Sequence, residues 1–476
     1  MENQSQRFTG WPFGGQPRSR RHHSVGFWVA AVAFLLNMAF SAVPTPLYVL
    51  YQQRDGFSNL TVTVVYAVYA IGVIGSLFLG GHLSDWIGRR HVFVPALLAN
   101  AASAALFILD PSLAGLIVAR IVSGISVGLT TATATSYLAE LHTSARPAGS
   151  QRRAEAVATA SNLGGIGFGP LVAGVLAQFA PGPLRLPYIV FGVALIVLAA
   201  AVALSPETVR RAAPRPSYRP QRIVVPERAR STFFAATLAG MAAFAVFGVF
   251  NSLAPSFLAG TLHEQSHAIA GVVAFAAFAA GAMAQILGTR TPPLVLLRRA
   301  VPIIILGLAL TAGAMWSASL AMFIIGGMIT GAGGGMVFKG SLVVAASTAP
   351  AESRAEVLAG FFLGAYVGLS LPVVGLGIAT TYAPARDVML VFAALSAVAI
   401  AGSVRAVTHR STRSTASPVR KSSLSGLRDR TTAQRANPGH DHSHDSLPPI
   451  LGRVAHTEAD TPDARPRRAY RGRHVT

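Results

Sequence analysis

The chain has 476 residues, of which 52% are hydrophobic and only 12% are charged. Water-soluble proteins usually carry about 25% charged residues, so this composition excludes an ordinary soluble globular protein and indicates a polytopic membrane protein. The net charge of +21 comes from arginines in loops and tails, which indicates membrane orientation rather than nucleic-acid binding. Because the sequence has no cysteine, it predicts neither a disulfide nor thiol chemistry.

Twelve apolar stretches are long enough to cross a hydrocarbon core of about 30 Å. They predict an all-α membrane protein with spans near residues 26–50, 60–82, 91–109, 113–139, 155–179, 187–205, 232–258, 267–288, 300–316, 318–345, 355–381 and 386–406. The first stretch is too long for the core of a signal peptide, so we expect an uncleaved first span. The expected domains are an N-terminal segment (1–25), two six-helix bundles (26–207 and 232–407), a linker between them (208–231) and a disordered basic tail (408–476).

The two predicted bundles share short sequence features at corresponding positions. Arg153-Ala154-Glu155 opens the fifth predicted span, and Arg354-Ala355-Glu356 opens the eleventh. Pro170 and Pro372 lie inside the same two spans. A duplicated six-helix unit would leave this kind of weak internal symmetry.

Arginine counting predicts the orientation. With the N-terminus inside, the cytoplasmic loops carry most arginines, and the outside loops hold only Arg54, Arg185 and Arg386. We therefore expect a multi-pass protein of the cytoplasmic membrane with both termini in the cytoplasm.

The turn after the second span carries the most specific motif of the chain. It reads GGHLSDWIGRRHVF and follows the spacing G-x-L-x-D-x-x-G-R-R through Gly81, Leu83, Asp85, Gly88, Arg89 and Arg90. Glycines permit a sharp turn, and Asp85 can accept hydrogen bonds from a guanidinium or a helix N-terminus. An ordinary positive-inside loop with a capping aspartate is the alternative. The segment resembles the loop between helices 2 and 3 of the major facilitator superfamily. This resemblance implies two pseudo-symmetric six-helix halves and a conformational latch formed by Gly81, Asp85, Gly88, Arg89 and Arg90.

Arg120 lies inside the fourth span, ahead of Gly124 and Gly128. A buried arginine in a span costs about 2.5–3.5 kcal/mol, so it should have a partner or face water. The segment resembles the helix-4 motif of the same superfamily, although Ser123 stands where the family usually has glutamine. The resemblance implies a conformational and proton-coupling role, with Glu140 as a further candidate. Alternatively, Arg120 pairs with a carboxylate or helix end and fixes packing.

The fifth span contains Gly165, Gly169, Pro170 and Gly174. These residues resemble the antiporter motif of drug/proton exchangers, with alanine-glycine in place of the usual double glycine, and the resemblance implies export. Packing of small residues is the alternative. The first span has no acidic residue, and the available acids lie at or near cytoplasmic helix ends, so the coupling group stays open.

Candidate cavity side chains share polar or aromatic character within the spans; they are Asn37, Tyr66, Tyr69, Asn251, Gln285, Lys339, Phe362 and Tyr366. Each could instead pack helices. Lys339 could meet an anionic substrate, or its ammonium could snorkel to the interface.

The tail contains His440, His442 and His444, which could bind zinc or nickel or form part of a solvated polar tract. Neither a P-loop nor a Ser-His-Asp pattern is present, so we expect no enzymatic activity and no cofactor. The expected partners are a small-molecule substrate, protons and the lipid bilayer, with no nucleic acid, and the chain is expected to be a monomer. Proton-coupled export of hydrophobic compounds is the leading hypothesis. A symporter or uniporter for sugars, organic acids or metabolites, or a non-transporting sensor, are the alternatives.

Overall fold

The computed structural model describes residues 17–209, 225, 227–350 and 353–415. In these residues twelve helices are long and apolar enough to cross a membrane, and no β-strand occurs. The spans, numbered 1 to 12 in chain order, are Arg20–Asp55, Asn59–Gly80, Arg89–Leu109, Leu113–Ala145, Arg152–Phe179, Leu186–Ala203, Arg230–Ser252, His267–Arg290, Pro293–Ser317, Leu320–Ala346, Glu356–Ala379 and Ala385–His409. The predicted all-α fold with twelve spans is confirmed.

Two spans are interrupted. Span 1 consists of helices Pro17–Ala42 and Tyr48–Asp55, joined by the 3-10 turn Thr45–Leu47, because two prolines break the regular hydrogen-bond ladder there. Span 5 consists of helices Arg152–Thr159 and Gly165–Phe179, joined by a π-helical turn, Ala160–Gly164.

Outside the regular spans, short helices cover Leu83–Ile87, Glu227–Ala229 and Ala254–Thr261. Span 8 combines helix His267–Leu287 with the 3-10 turn Gly288–Arg290, and the helices of spans 11 and 12 run from Arg354–Ala379 and Ala385–Thr415.

Several predicted boundaries were wrong. Span 1 runs from Arg20 to Asp55 instead of from residue 26 to residue 50. Span 7 ends at Ser252, and the remaining predicted residues form a separate helix that has Pro255 in its first turn. Span 9 begins at Pro293 instead of residue 300, since proline suits the first turn of a helix and exposed arginines can reach the interface from inside a span. Span 4 continues to Ala145.

The spans pack in two groups of six, and two helix pairs form the most extensive contacts between the groups. Within the first group, span 4 packs against spans 1, 2 and 3, and within the second, span 10 packs against spans 8 and 9. Between the groups, span 2 packs against span 11 and span 5 against span 8. We call the end with the turn between spans 2 and 3 the basic end, because most loop arginines lie there, and the other end the opposite end.

Candidate functional site

An ion-pair cluster lies at the basic end. The guanidinium of Arg89 is 2.5 Å from a carboxylate oxygen of Asp85 and 2.8 Å from one of Glu140, and it donates a 2.8 Å hydrogen bond to Ser84 Oγ. Gly88 has φ +113°, which side-chain-bearing residues rarely adopt, so glycine suits the entry into span 3. Because the Arg89 side chain is only 10% exposed, water screens this cluster less than an ordinary surface ion pair.

Glu207 follows span 6 and joins the same turn, although the sequence alone did not single it out. Its carboxylate accepts hydrogen bonds from the backbone N–H groups of Arg89, at 2.8 Å, and Arg90, at 3.2 Å. A carboxylate at a helix N-terminus satisfies N–H groups that have no partner within the helix. In return, Arg90 donates to the carbonyl oxygens of Ala203 and Ser205 where span 6 ends.

Two further hydrogen bonds fix the start of the linker. Thr208 Oγ1 donates to a carboxylate oxygen of Glu140 at 2.5 Å, and the Tyr137 hydroxyl donates to the carbonyl of Pro206 at 2.6 Å. The turn, span 4 and the first linker residues therefore form one hydrogen-bonded unit. The one sequence signal that could have indicated this unit was the position of the Glu207 carboxylate directly after an apolar run.

Arg120 is buried in span 4, with 2% exposure. Its Nη1 donates a 2.6 Å hydrogen bond to the carbonyl of Ser41, where the first helix of span 1 ends, and Nη2 lies 3.4 Å from the carbonyl of Tyr66. The guanidinium lies over the rings of Tyr69, at 4.5 Å, and Tyr66, at 5.5 Å. Within the described residues, Nε has no hydrogen-bond acceptor, and no ion pair involves Arg120. Glu140, one of the candidates for a coupling role with Arg120, is part of the basic-end cluster.

Asn37 lies inside the first group of spans and is fully buried. Its Nδ2 donates a 2.9 Å hydrogen bond to Thr130 Oγ1, and its Oδ1 accepts from Asn100 at 2.9 Å and from Ser126 at 3.2 Å. These contacts tie spans 1, 3 and 4 together, which corresponds to the packing alternative for this residue.

Among the described residues, three polar contacts join the two groups at the opposite end. Thr45 Oγ1 lies 2.7 Å from Oδ1 of Asn251 and 2.9 Å from its backbone oxygen, and both residues are buried. The other two contacts link Ser256 with Gln52 at 3.0 Å and the backbone of His267 with Gln178 at 2.9 Å. The structure thus places Asn251, a candidate cavity residue, in a contact between the groups.

An aromatic cluster lies in the second group and consists of Phe244, Phe338, Phe361, Phe362 and Tyr366. The ring centroids of Phe244 are 4.6 Å from Phe338 and 5.7 Å from Tyr366. Tyr366 belongs to span 11, which packs against span 2, the helix that carries the two tyrosines beside Arg120. The candidate aromatic residues of both groups therefore lie on helices that face each other.

Lys339 contacts the end of span 8. Its Nζ donates 2.6 Å to the carbonyl of Gln285 and 2.8 Å to Thr289 Oγ1. Cations are stabilised near helix C-termini, where carbonyl groups lack partners within the helix. The ammonium is thus bound by a neighbouring helix, a contact that neither expectation for Lys339 included.

The motif glycines lie at close helix contacts. A Cβ atom would overlap span 2 at Gly124 and Gly128, span 1 at Gly165 and Gly169, and span 8 at Gly174. Pro170 presents its carbonyl to Gly271 of span 8, and Gly81 directly follows the last residue of span 2. Span 5 is therefore packed tightly between span 1 of its own group and span 8 of the other.

The candidate metal ligands His440, His442 and His444 lie outside the described residues. Within the described residues, no group of three or more histidine or acidic side chains could hold a metal ion.

Two curated proteins show partial similarity. An arabinose-proton symporter of Bacillus subtilis is 29% identical over 125 residues, which cover 25% of this chain and 27% of the symporter. An uncharacterized MFS-type transporter of Methanocaldococcus jannaschii is 24% identical over 151 residues, covering 32% of this chain and 37% of that protein. The matches thus span between about a quarter and somewhat more than a third of these relatives.

Solved structures are similar over most of the chain. A bacterial homolog of the human lysosomal transporter Spinster, in an inward-facing and unoccupied conformation, has a TM-score of 0.60 and 15% identity, covering 83% of this chain and 99% of its own. A variant of the nucleoside transporter NupG has a TM-score of 0.60 and 13% identity, covering 80% of this chain and 99% of its own. These likenesses show the fold.

The sequence model of the Major Facilitator Superfamily matches residues 29–307, which is more than half of the chain and includes the turn, the Arg120 segment and span 5. Together with twelve spans and the shared fold, this match shows that the chain belongs to the Major Facilitator Superfamily of membrane transporters.

Proposed function

We propose that this transporter exports hydrophobic compounds across the cytoplasmic membrane in exchange for protons, by alternating access. The aromatic cluster around Phe338 carries the substrate assignment, because its mutually tilted rings offer apolar area with few fixed hydrogen-bonding groups. A sugar site would need a set of ordered polar side chains instead. The tight packing of span 5 and its resemblance to exchanger motifs support the direction of transport.

The proposed orientation puts the basic end and both termini in the cytoplasm. In this orientation the contact between Thr45 and Asn251 closes the external side. The groups then rock about the helix pairs where they meet, and separation at the opposite end requires this contact to break. Asp85, Arg89 and Glu140 act as the latch that holds the cytoplasmic side of the first group in one shape.

Proton-coupled sugar symport is the second candidate. The similarity to an arabinose-proton symporter favours it, although that match covers only 25% of this chain. Both candidates use alternating access, and they differ in substrate and in the direction of proton movement.

The test uses the purified full chain in liposomes with an imposed proton gradient and a pH-sensitive dye inside. Hydrophobic aromatic compounds should move protons in the direction opposite to their own movement. If only sugars move protons, and in the same direction as themselves, the symporter hypothesis replaces export. If no compound in the panel moves protons or accumulates while insertion is verified, proton-coupled transport is rejected.

A further inference from the structure

The charged side chains deep in the spans are unevenly distributed: Arg120 is buried, whereas Lys339 is partly exposed. Arg120 follows the start of span 4, Leu113, by seven residues, and Lys339 precedes the end of span 10, Ala346, by seven. Among the described residues of the spans, the acid farthest from a helix end is Glu140, five residues before Ala145. The deepest charged groups are therefore both cationic.

The two cations differ in how well they are satisfied. Lys339 has two hydrogen-bond acceptors at the end of span 8. Arg120 binds two backbone carbonyls, which carry only partial charges, and its Nε has no acceptor among the described residues. Ser123 Oγ, one turn further along the same helix, is also buried without a partner there. Since a guanidinium presents five N–H groups, Arg120 keeps donors available for a further acceptor.

Aromatic groups cover this cation. The ring of Tyr69 lies 4.5 Å from the guanidinium and is nearly buried. Tyr366 extends the aromatic surface from the facing span 11 to Phe244 and the rest of the cluster. A ligand that displaces the Tyr69 ring would meet a cation on one side and the rings of the aromatic cluster on the other.

We infer that the transported compounds are amphipathic organic anions, whose carboxylate or similar compact anionic group binds Arg120 while their apolar part packs on the aromatic cluster. This inference rests on the proposed function and names its substrate class. An anion supplies the charge-assisted acceptors that the guanidinium lacks, and a planar carboxylate fits its fork. A cationic compound would approach the like charge of Arg120, which forms no ion pair with a carboxylate among the described residues, so it is disfavoured.

The test measures equilibrium binding of three matched probes to the purified full chain in lipid nanodiscs, with empty nanodiscs to correct for partition into the bilayer. The probes are 2-naphthoate, 2-naphthamide and 2-naphthylmethylammonium, which share a ring system and differ in charge. We expect the naphthoate to bind at least about thirtyfold more tightly than the amide, since an unpaired buried charge is costly. Arg120→Gln should remove this preference, whereas Arg405→Gln, at an exposed arginine in span 12, should keep it.

Arg120→Lys provides a second variant if the glutamine variant does not fold. It keeps the charge but loses the fork, so naphthoate should bind more weakly than to the unmodified chain yet more tightly than the amide. Equal affinity for the three probes, a preference that survives in Arg120→Gln, or no measurable naphthoate binding would each overturn the inference. If liposomes transport neutral or cationic aromatic compounds as well as anions, the proposed export stands and only the anion assignment fails. If no compound is transported, the proposed function fails.

Discussion

The contact between Thr45 and Asn251 should control opening at the opposite end, and Thr45→Val tests this. Valine keeps the shape of the side chain but removes the hydroxyl that lies 2.7 Å from Asn251 Oδ1. Thr45 is 1% exposed, so water cannot replace the hydroxyl while the two groups are joined. An unpaired buried acceptor costs about 1–2 kcal/mol, which raises the ratio of separated to joined molecules by a factor of about 5–30.

Because the chain has no cysteine, spin labels can be placed without removing native thiols. Leu109→Cys and Tyr382→Cys place one label on each group at the opposite end, at side chains that are 80% and 87% exposed. Pulsed electron–electron double resonance should show a larger long-distance fraction in Thr45→Val. Thr135→Val is the matched control, since that exposed hydroxyl bonds only within its own helix. A distance distribution identical to the control would refute the gating role.

Three other substitutions test the basic end and the helix contacts. Asp85→Asn should sharply reduce the initial transport rate in liposomes. It should change thermal unfolding little, because the aspartate is 54% exposed and contributes about 0–1 kcal/mol to stability. A near-normal transport rate would exclude the latch role. Gly169→Ala should destabilise the protein by about 1–3 kcal/mol, because the added Cβ overlaps span 1. Gly75→Ala should not destabilise it, because Gly75 faces open space. Equal unfolding temperatures of the two variants would contradict the close contact. Glu207→Ala should lower the free energy of unfolding by about 1–2 kcal/mol, because it removes the cap of span 3. The control Glu227→Ala, at an exposed side chain, should lower it by less than about 0.5 kcal/mol. Similar losses in both variants would contradict the capping role.

The fold could be predicted because a membrane imposes simple rules on the sequence. Apolar runs of about 20 residues must form helices, since the backbone has no other partner in lipid. The errors fall where local chemistry overrides hydropathy. Arg298 and Arg299 look like loop residues, yet they are exposed members of span 9. Pro255 separates two helices that a single apolar run had joined.

The candidate site was predicted in part, since a single sequence indicates residue types but seldom their partners. Arg120 was expected to have a partner or to face water. Its two acceptors among the described residues are backbone carbonyls, which every residue carries and no sequence pattern reveals. Asn251 is bound by Thr45, which lies more than 200 residues away in the chain. Glu207 was missed because its carboxylate accepts from backbone N–H groups of another span, and no sequence pattern reveals such donors.

The capping of span 3 by Glu207 determines where the chain can be divided. Glu207 is hydrogen-bonded to the turn and Thr208 to span 4, and the backbone N–H of Val209 donates to the Glu207 carboxylate, so these residues are part of the first group's structure. A gene split after Val209 would leave each encoded fragment with its own six spans and keep the carboxylate with the helix that it caps. A split before Ser205 would instead place Glu207 on the fragment that does not contain span 3. Activity of the co-expressed fragments would then require the Glu207 carboxylate of one fragment to cap span 3 of the other.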